Sequence, residues 1–231
     1  MKKIGIIGGL GPESTLMYYR ELCARCHELS ESGSYPEIVI ASVDIQKMLS
    51  FVSSGDYEGL TGYLAEAADV LADAGCDFGA IASNTPHMIF PALSKRSRMP
   101  FISIVEASAR KAKELGLRAP LLAGTGFTMG SRFYPEAFEQ TGISLMLPDA
   151  ADQNEIHGII FPDLENGIVE PKKRERFLSI CRSYIEKQGA DGVILGCTEL
   201  PLIAGPADFP VPVLDTARIH IDAIIARAFE R

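Results

Sequence analysis

Gly75-Cys76-Asp77-Phe78-Gly79-Ala80-Ile81-Ala82-Ser83 and Gly189-Ala190-Asp191-Gly192-Val193-Ile194-Leu195-Gly196-Cys197 are two versions of one pattern, 114 residues apart. Each places an aspartate before a short apolar run and a small residue with a hydroxyl or a thiol after it. An unbroken apolar run of this length reads as a strand buried on both faces of a parallel sheet. Two further matches follow in the same order. Gly9-Leu10-Gly11 lies over Gly124-Thr125-Gly126 at an offset of 115, and Pro100–Ile104 lies over Pro210–Leu214 at 110.

Outward from these runs, strands alternate with helix-length segments. Strands are expected at Lys3–Ile7, Glu37–Val43, Phe78–Ala82, Phe101–Val105, Ala119–Ala123, Ser144–Leu147, Gly192–Leu195 and near Val211–Leu214. Helices are expected at Pro12–Leu29, Leu60–Ala74, Glu106–Leu115, from about Ser131, at Lys172–Gln188 and at Thr216–Glu230. Leu60, Leu64, Ala67, Ala68 and Leu71 fall on one face of the second helix. Repeated βα units predict an α/β fold of two pseudo-symmetric parallel-sheet halves with flanking helices. The halves are residues 1–98 with 213–231, and 99–212. Ligands of open α/β sheets sit beyond the carboxyl ends of strands. Two such halves would form an active-site cleft lined by Gly9–Gly11, Ser83–Thr85, Gly124–Thr128 and Cys197–Glu199.

Composition bounds the function. The chain has 231 residues, one large or two small domains at roughly 150 residues each. Apolar residues make up 47%, an ordinary globular share that excludes a disordered or fibrous chain. The net charge of −8 has the wrong sign for a nucleic-acid backbone or an anionic membrane. No apolar run reaches the roughly 18 residues of a membrane span. Five cysteines, an odd number, point to free thiols in a reducing cytoplasm.

Each motif has a chemical and a structural reading. Gly8-Gly9-Leu10-Gly11-Pro12-Glu13-Ser14-Thr15 follows a strand and opens a helix, so its backbone amides suit an anion. The alternative is a tight structural turn. It part-matches a dinucleotide fingerprint but lacks the third glycine, and Asp44 lies 33 residues past Gly11 against roughly 20 expected. Cys23-Ala24-Arg25-Cys26-His27 has the spacing of a haem attachment or half a zinc site, without a second ligand pair. Its reading is a packed helix face, and Cys76 and Cys181 are packing cysteines too. Cys197, directly after a buried strand, is expected near backbone dipoles that lower its pKa toward neutrality. A packed core cysteine is the alternative. Asn84, Thr85, Thr125, Thr128 and Thr198 offer hydroxyl and amide donors for a carboxylate, with a plain N-cap as the other reading of Ser83-Asn84-Thr85-Pro86-His87. His87 is a candidate acid or base, or a buried structural histidine. His157 and His220 read as structural, and Lys172–Arg176 as a solvated helix face.

Taken together, Gly8–Thr15, Asn84-Thr85-Pro86-His87, Gly124-Thr125 with Phe127-Thr128-Met129, Gly196-Cys197-Thr198-Glu199-Leu200 and Asp215-Thr216-Ala217 resemble the aspartate/glutamate racemase family of cofactor-independent amino-acid racemases. The resemblance runs from residue 5 to about residue 220. It implies two pseudo-symmetric halves, a homodimer, and two cysteines that exchange a proton at the substrate Cα from opposite faces. It implies no pyridoxal phosphate, nucleotide or metal, and an amino acid or related carboxylate as the small-molecule partner. On it, Cys197 and Ser83 are the catalytic positions. Leu10, Asn84, Thr85, Thr125, Thr128, Thr198, Glu199 and His87 bind or tune the substrate.

Ser83 stands where the resemblance expects the first cysteine. A hydroxyl is a far weaker base than a thiol, whose reference pKa is about 8.5. Three readings follow. The hydroxyl, a water or His87 moves the proton on that face; or serine replaces a native cysteine; or the reaction needs one thiol. The last resembles the arylmalonate decarboxylases, which protonate one face of an enediolate. A catalytically silent amino-acid-binding form is a further alternative. No basic clamp for a side-chain carboxylate stands out beside Val52 or Asn166-Gly167-Ile168, although Lys47 and Lys172 are candidates.

Overall fold

The computed structural model describes residues 1–230. The chain divides into two compact units, Met1–Ser103 with the described part of His220–Arg231, and Ile104–Ile219. Among the described residues no helix is long and apolar enough to cross a membrane.

The first unit contains β1 (Ile4–Gly8), α1 (Pro12–Leu29), β2 (Ile38–Ser42), α2 (Ile45–Ser54), α3 (Tyr57–Asp73), β3 (Phe78–Ile81), α4 (Phe90–Arg96) and β4 (Phe101–Ile102). Its sheet has the order β2-β1-β3-β4, all parallel. Every residue of β1 and β3 is buried, as central strands covered on both faces require. The α3 face is the expected one: Leu60, Leu64, Ala67, Ala68 and Leu71 are buried, and Asp56 caps the helix through the Gly59 amide at 2.8 Å. Each of its fully buried leucines contributes about 1.5–3 kcal/mol.

The second unit contains α5 (Ile104–Glu114), β5 (Leu121–Gly124), α6 (Gly126–Gly130), α7 (Phe133–Glu139), α8 (Ala150–Ile160), α9 (Pro171–Gln188), β6 (Val193–Gly196) and β7 (Val213–Asp215). The last helix, α10 (Thr216–Phe229), starts in this unit and continues into the first. The sheet order is β5-β6-β7, again parallel. The strand expected at Ser144–Leu147 is reduced to one bridge, Met146 beside Leu121. Its amide and carbonyl bond Pro120 O and Leu122 N at 2.9 Å each. That segment therefore lies by β5 as β2 lies by β1. The strand expected at Phe101–Val105 ends at Ile102 because α5 begins at Ile104. Helices α2, α4, α6 and α8 were not foreseen.

The internal repeat is real, with corrected offsets. Asp77 accepts the Lys3 amide at 2.6 Å and its own amide bonds Lys3 O at 2.9 Å. Asp191 accepts the Arg118 and Ala119 amides at 2.6 and 3.0 Å, and its amide bonds Ala119 O at 3.4 Å. Gly79 N bonds Pro100 O, and Val193 N bonds Pro212 O, at 2.8 and 2.9 Å. Hence the third strands correspond at 114 residues, as expected, whereas the first correspond at 116 and the last at 112. Gly8, not Gly9, is the counterpart of Gly124, and Pro100 is the counterpart of Pro212. Ser83 and Cys197 occupy the same place, just past the third strand of each unit.

The glycine loop after β1 is held as a turn. Gly9 has φ 79°, and its amide is donated to Thr15 Oγ1 at 2.9 Å. Pro12 then starts α1, where its missing N–H costs nothing. A methyl group on Gly9 would overlap the Val43 carbonyl oxygen and force an unfavourable left-handed residue. Gly9→Ala should lower the unfolding free energy by at least about 2 kcal/mol. Urea denaturation followed by circular dichroism checks this; an unchanged midpoint would contradict it.

Candidate active site

In the second unit the site is built at the end of β6. Cys197 directly follows Gly196 and is 6% exposed. Its thiol donates to Glu199 Oε2 at 2.9 Å. The Thr198 hydroxyl donates to the same carboxylate, 2.9 Å from each oxygen. No helix begins at Cys197; the next helical residues are the single turn Leu200–Leu202. The expected lowering of the thiol pKa by a helix N-terminus is therefore overturned. Burial and then the Glu199 charge push the Cys197 thiol well above the ordinary value. The resting sulfur is a protonated acid hydrogen-bonded to a buried carboxylate.

A residue the sequence reading missed belongs to the same cluster. Glu165 lies in the turn Leu164–Asn166. Burial, then the Glu199 charge, raise its carboxyl to about 7. Glu165 in turn helps raise Cys197. Behind them the Thr216 hydroxyl donates to Leu195 O at 2.8 Å and anchors the last turn of β6. Fully buried Tyr134 bonds Thr216 and Ser108, and burial pushes its phenol up. Thr125 and Thr128 are less open than expected. Thr125 caps α6 by accepting the Thr128 amide, and the two hydroxyls are 3.2 Å apart. Thr128 is fully buried, so its hydroxyl faces this cap. His157 Nδ1 accepts the Gly126 amide at 3.3 Å, a structural bond.

In the first unit Ser83 is half-buried after β3, while Leu10, Asn84 and Thr85 are buried. The turn Thr85–Ile89 carries Pro86 in its first positions, and Asn84 makes no side-chain cap bond to it. His87 is 2% exposed. Burial, then neighbouring His220, lower its pKa to about 3, although backbone bonds at Ser83 and Asn84 pull the other way. His220 accepts from the Tyr18 hydroxyl at Nδ1 and donates from Nε2 to Ile102 O, both at 2.9 Å. The ring of His87 is thus neutral at physiological pH. It can hydrogen-bond a substrate but carries no charge with which to tune one.

The remaining candidates are accounted for locally. Lys47 lies over the Tyr63 ring at 4.2 Å, and Lys172 is exposed on the first turn of α9. Cys26 and Cys181 are fully buried and Cys76 nearly so, and burial raises all three thiols. His27 stacks on Tyr35. Among the described residues no three His, Cys, Asp or Glu side chains are grouped to hold a metal ion.

Two outcomes follow from these charges. Replacing the carboxylate in Glu199→Gln should lower the Cys197 pKa, so its thiolate absorbance should appear at lower pH than in the wild type. For His87, the unfolded ring binds a proton near about 6.5 and the folded one only near about 3. Between these values the unfolded state holds more protons. Stability is full above about 6.5 and falls as the pH drops toward 3. Denaturation midpoints at about pH 7.5 and about pH 4.5 should therefore differ less in His87→Gln than in the wild type.

A family model described as Asp/Glu/Hydantoin racemase matches residues 7–224. The broad specificity amino-acid racemase RacX of Bacillus subtilis is 24% identical over 221 residues, 93% of this chain and 92% of that one. An aspartate racemase homologue from Pyrococcus horikoshii superposes with a TM-score of 0.87 at 39% identity, covering 100% of both chains. A candidate Asp/Glu racemase from Yersinia pestis does so with a TM-score of 0.92 at 31% identity, again over 100% of both. On these matches the chain belongs to the Asp/Glu/Hydantoin racemase family, and it is an isomerase of the amino-acid racemase type.

Proposed function

We propose that this isomerase racemises an amino acid without a cofactor, by removing and returning the Cα proton, with Cys197 as one acid/base and Ser83 in the second catalytic position. The observation that carries this reading is the buried Cys197 thiol donating to Glu199, at the strand end where the other unit has Ser83. Racemisation needs an acid on one face of Cα and a base on the other. Glu199 can take the thiol proton, and the thiolate then takes the Cα proton; in the reverse sense the thiol delivers it. On the second face the Ser83 hydroxyl, or a water held by it, donates a proton. Solvent restores it in exchange with the proton gained at the Cys197 side, so no net charge accumulates.

Without a cofactor the carbanion must be stabilised as an enolate-like carboxylate by fixed donors. Asn84, Thr85, Thr125 and Thr198 are the residues assigned to that role. Leu10 contributes an apolar wall, and His87 a neutral hydrogen-bonding group. Five free thiols among the described residues suit the reducing cytoplasm. A homodimer is the assembly expected, and sedimentation equilibrium measures it.

The experiment is solvent-deuterium incorporation at Cα, read by mass spectrometry over a pool of L- and D-amino acids. Exchange into an amino acid is expected, with a loss of at least about 100-fold in Cys197→Ala. Ser83→Cys should raise the rate in both directions. A rate unchanged in Cys197→Ala would refute the assignment of the thiol. Ser83 itself favours one second reading, a single-thiol lyase. Carbon dioxide release from a substituted malonate, with no exchange into amino acids, would establish that instead.

A further inference from the structure

The ladder between β1 and β3 stops one bond short of the Ser83 turn. In a parallel pair, donor and acceptor bonds alternate evenly along the strands. The Ala82 amide donates to Ile7 O at 3.0 Å, and Ile7 lies opposite Ile81. The next bond in that register would run from the Gly9 amide to Ala82 O. Gly9 does not supply it: its φ of 79° turns the chain away, and its amide is donated to Thr15 Oγ1 at 2.9 Å.

The side chain next to Thr15 replaces the missing donor. Ser14, 2% exposed on the first turn of α1, donates its hydroxyl to Ala82 O at 2.9 Å. A hydroxyl has one hydrogen, so this bond uses the donor capacity of the side chain. Ala82 is fully buried, where a carbonyl stripped of its partner is costly. The Ala82–Ser83 peptide is trans and planar. Holding its oxygen therefore fixes the whole plane, which carries the Ser83 nitrogen and Cα at its other end. The Ser83 hydroxyl stands one carbon beyond that Cα.

We infer that Ser14 is a positioning residue for the reaction: by holding the Ala82 carbonyl, its hydroxyl sets the place of Ser83 and, through it, proton delivery on that face of Cα. This rests on the racemase reading above and adds a residue to it. Ser14 acts through Ser83 and exchanges no proton with the substrate.

The two faces give the test an internal reference. On the Cys197 face the thiolate removes the Cα proton, and the thiol, after exchange with heavy water, returns a deuteron to the same face. That is exchange with retention. Inversion needs the deuteron to arrive from the Ser83 face. Chiral chromatography with mass spectrometry reads both, starting from each pure enantiomer, after thermal melts have established that each variant folds. Ser14→Ala should lower the ratio of inversion to retained exchange at least about tenfold, since misplacing a reacting group by about 1 Å costs up to about 100-fold. In a Ser83→Ala background the same substitution should change the ratio by less than about twofold, because its effect runs through Ser83. A ratio unchanged in Ser14→Ala, or an equal fall with and without the Ser83 hydroxyl, overturns the inference while the racemase reading stands. Ser14→Cys, of similar shape with a weaker donor, takes the place of Ser14→Ala if that variant does not fold.

Absence of exchange into every amino acid in the wild type would instead sink the catalytic reading. The amide resonance of Ser83 in nitrogen–proton NMR spectra then decides the positioning by itself. Broadening or doubling of that resonance in Ser14→Ala, the mark of a mobile peptide, sustains it; a single resonance as sharp as in the wild type overturns it.

Discussion

An aspartate one residue before the third-strand region fastens each unit's sheet to the start of its first strand. Asp77 holds the Lys3 amide, and Asp191 holds the amides of Arg118 and Ala119. Each aspartate also donates its own amide back to the segment it grips. The two bonds fix the register of the central strand pair. In a buried parallel sheet a slip of one residue would turn every core side chain to the opposite face. With the register pinned, the chain leaves the third strand at one defined level in both units. That level holds Ser83 in one and Cys197 in the other.

What surrounds those two residues is not symmetric. The second unit surrounds its thiol with carboxylates, Glu199 by direct hydrogen bond and Glu165 through its field. Both raise the cost of a thiolate, so the sulfur rests as an acid. The first unit supplies neutral groups. Its two histidines next to the Ser83 turn are buried against each other, and His220 is fixed by Tyr18 and the Ile102 carbonyl. A protonated His87 would face a costly burial and a second imidazole, so it stays neutral. A pseudo-symmetric frame thus carries an acidic, negatively charged end and a neutral, hydroxyl-bearing end.

The glycine loop illustrates how a motif changes meaning when its partners are known. Glycines after a strand and before a helix suit an anion, but the Gly9 amide is already taken by Thr15. Gly9 is there because its φ is positive and because Val43 leaves no room for a side chain. Thr125 and Thr128 tell a similar story: they are adjacent hydroxyls on a short helix, and they use much of their hydrogen-bonding capacity on each other.

Much of this was legible in the linear sequence. Apolar runs and helical spacing located β1, β3, β5 and β6, the helices α1, α3 and α9, and the buried face of α3, because a buried parallel strand and an amphipathic helix each leave a periodic trace. The repeat placed Ser83 over Cys197, and the five motifs identified the family. Short elements such as α2, α4, α6 and α8 leave little periodicity, and the run at Ser144–Leu147 looks like a strand although it pairs through one residue. Charge environments leave no local trace at all. Nothing in Leu164-Glu165-Asn166 announces that Glu165 would feel the charge of Glu199 and act on Cys197, 34 and 32 residues further along. The pKa of Cys197 was misjudged for the same reason: its position after a strand suggested amide dipoles, while folding supplied a carboxylate. Periodicity and repeat are properties of the chain and determined the architecture and the matching places of the Ser83 oxygen and the Cys197 sulfur. Burial and the field at those atoms depend on residues far away in sequence, so the tertiary structure alone decided that the thiol rests protonated and the histidine neutral.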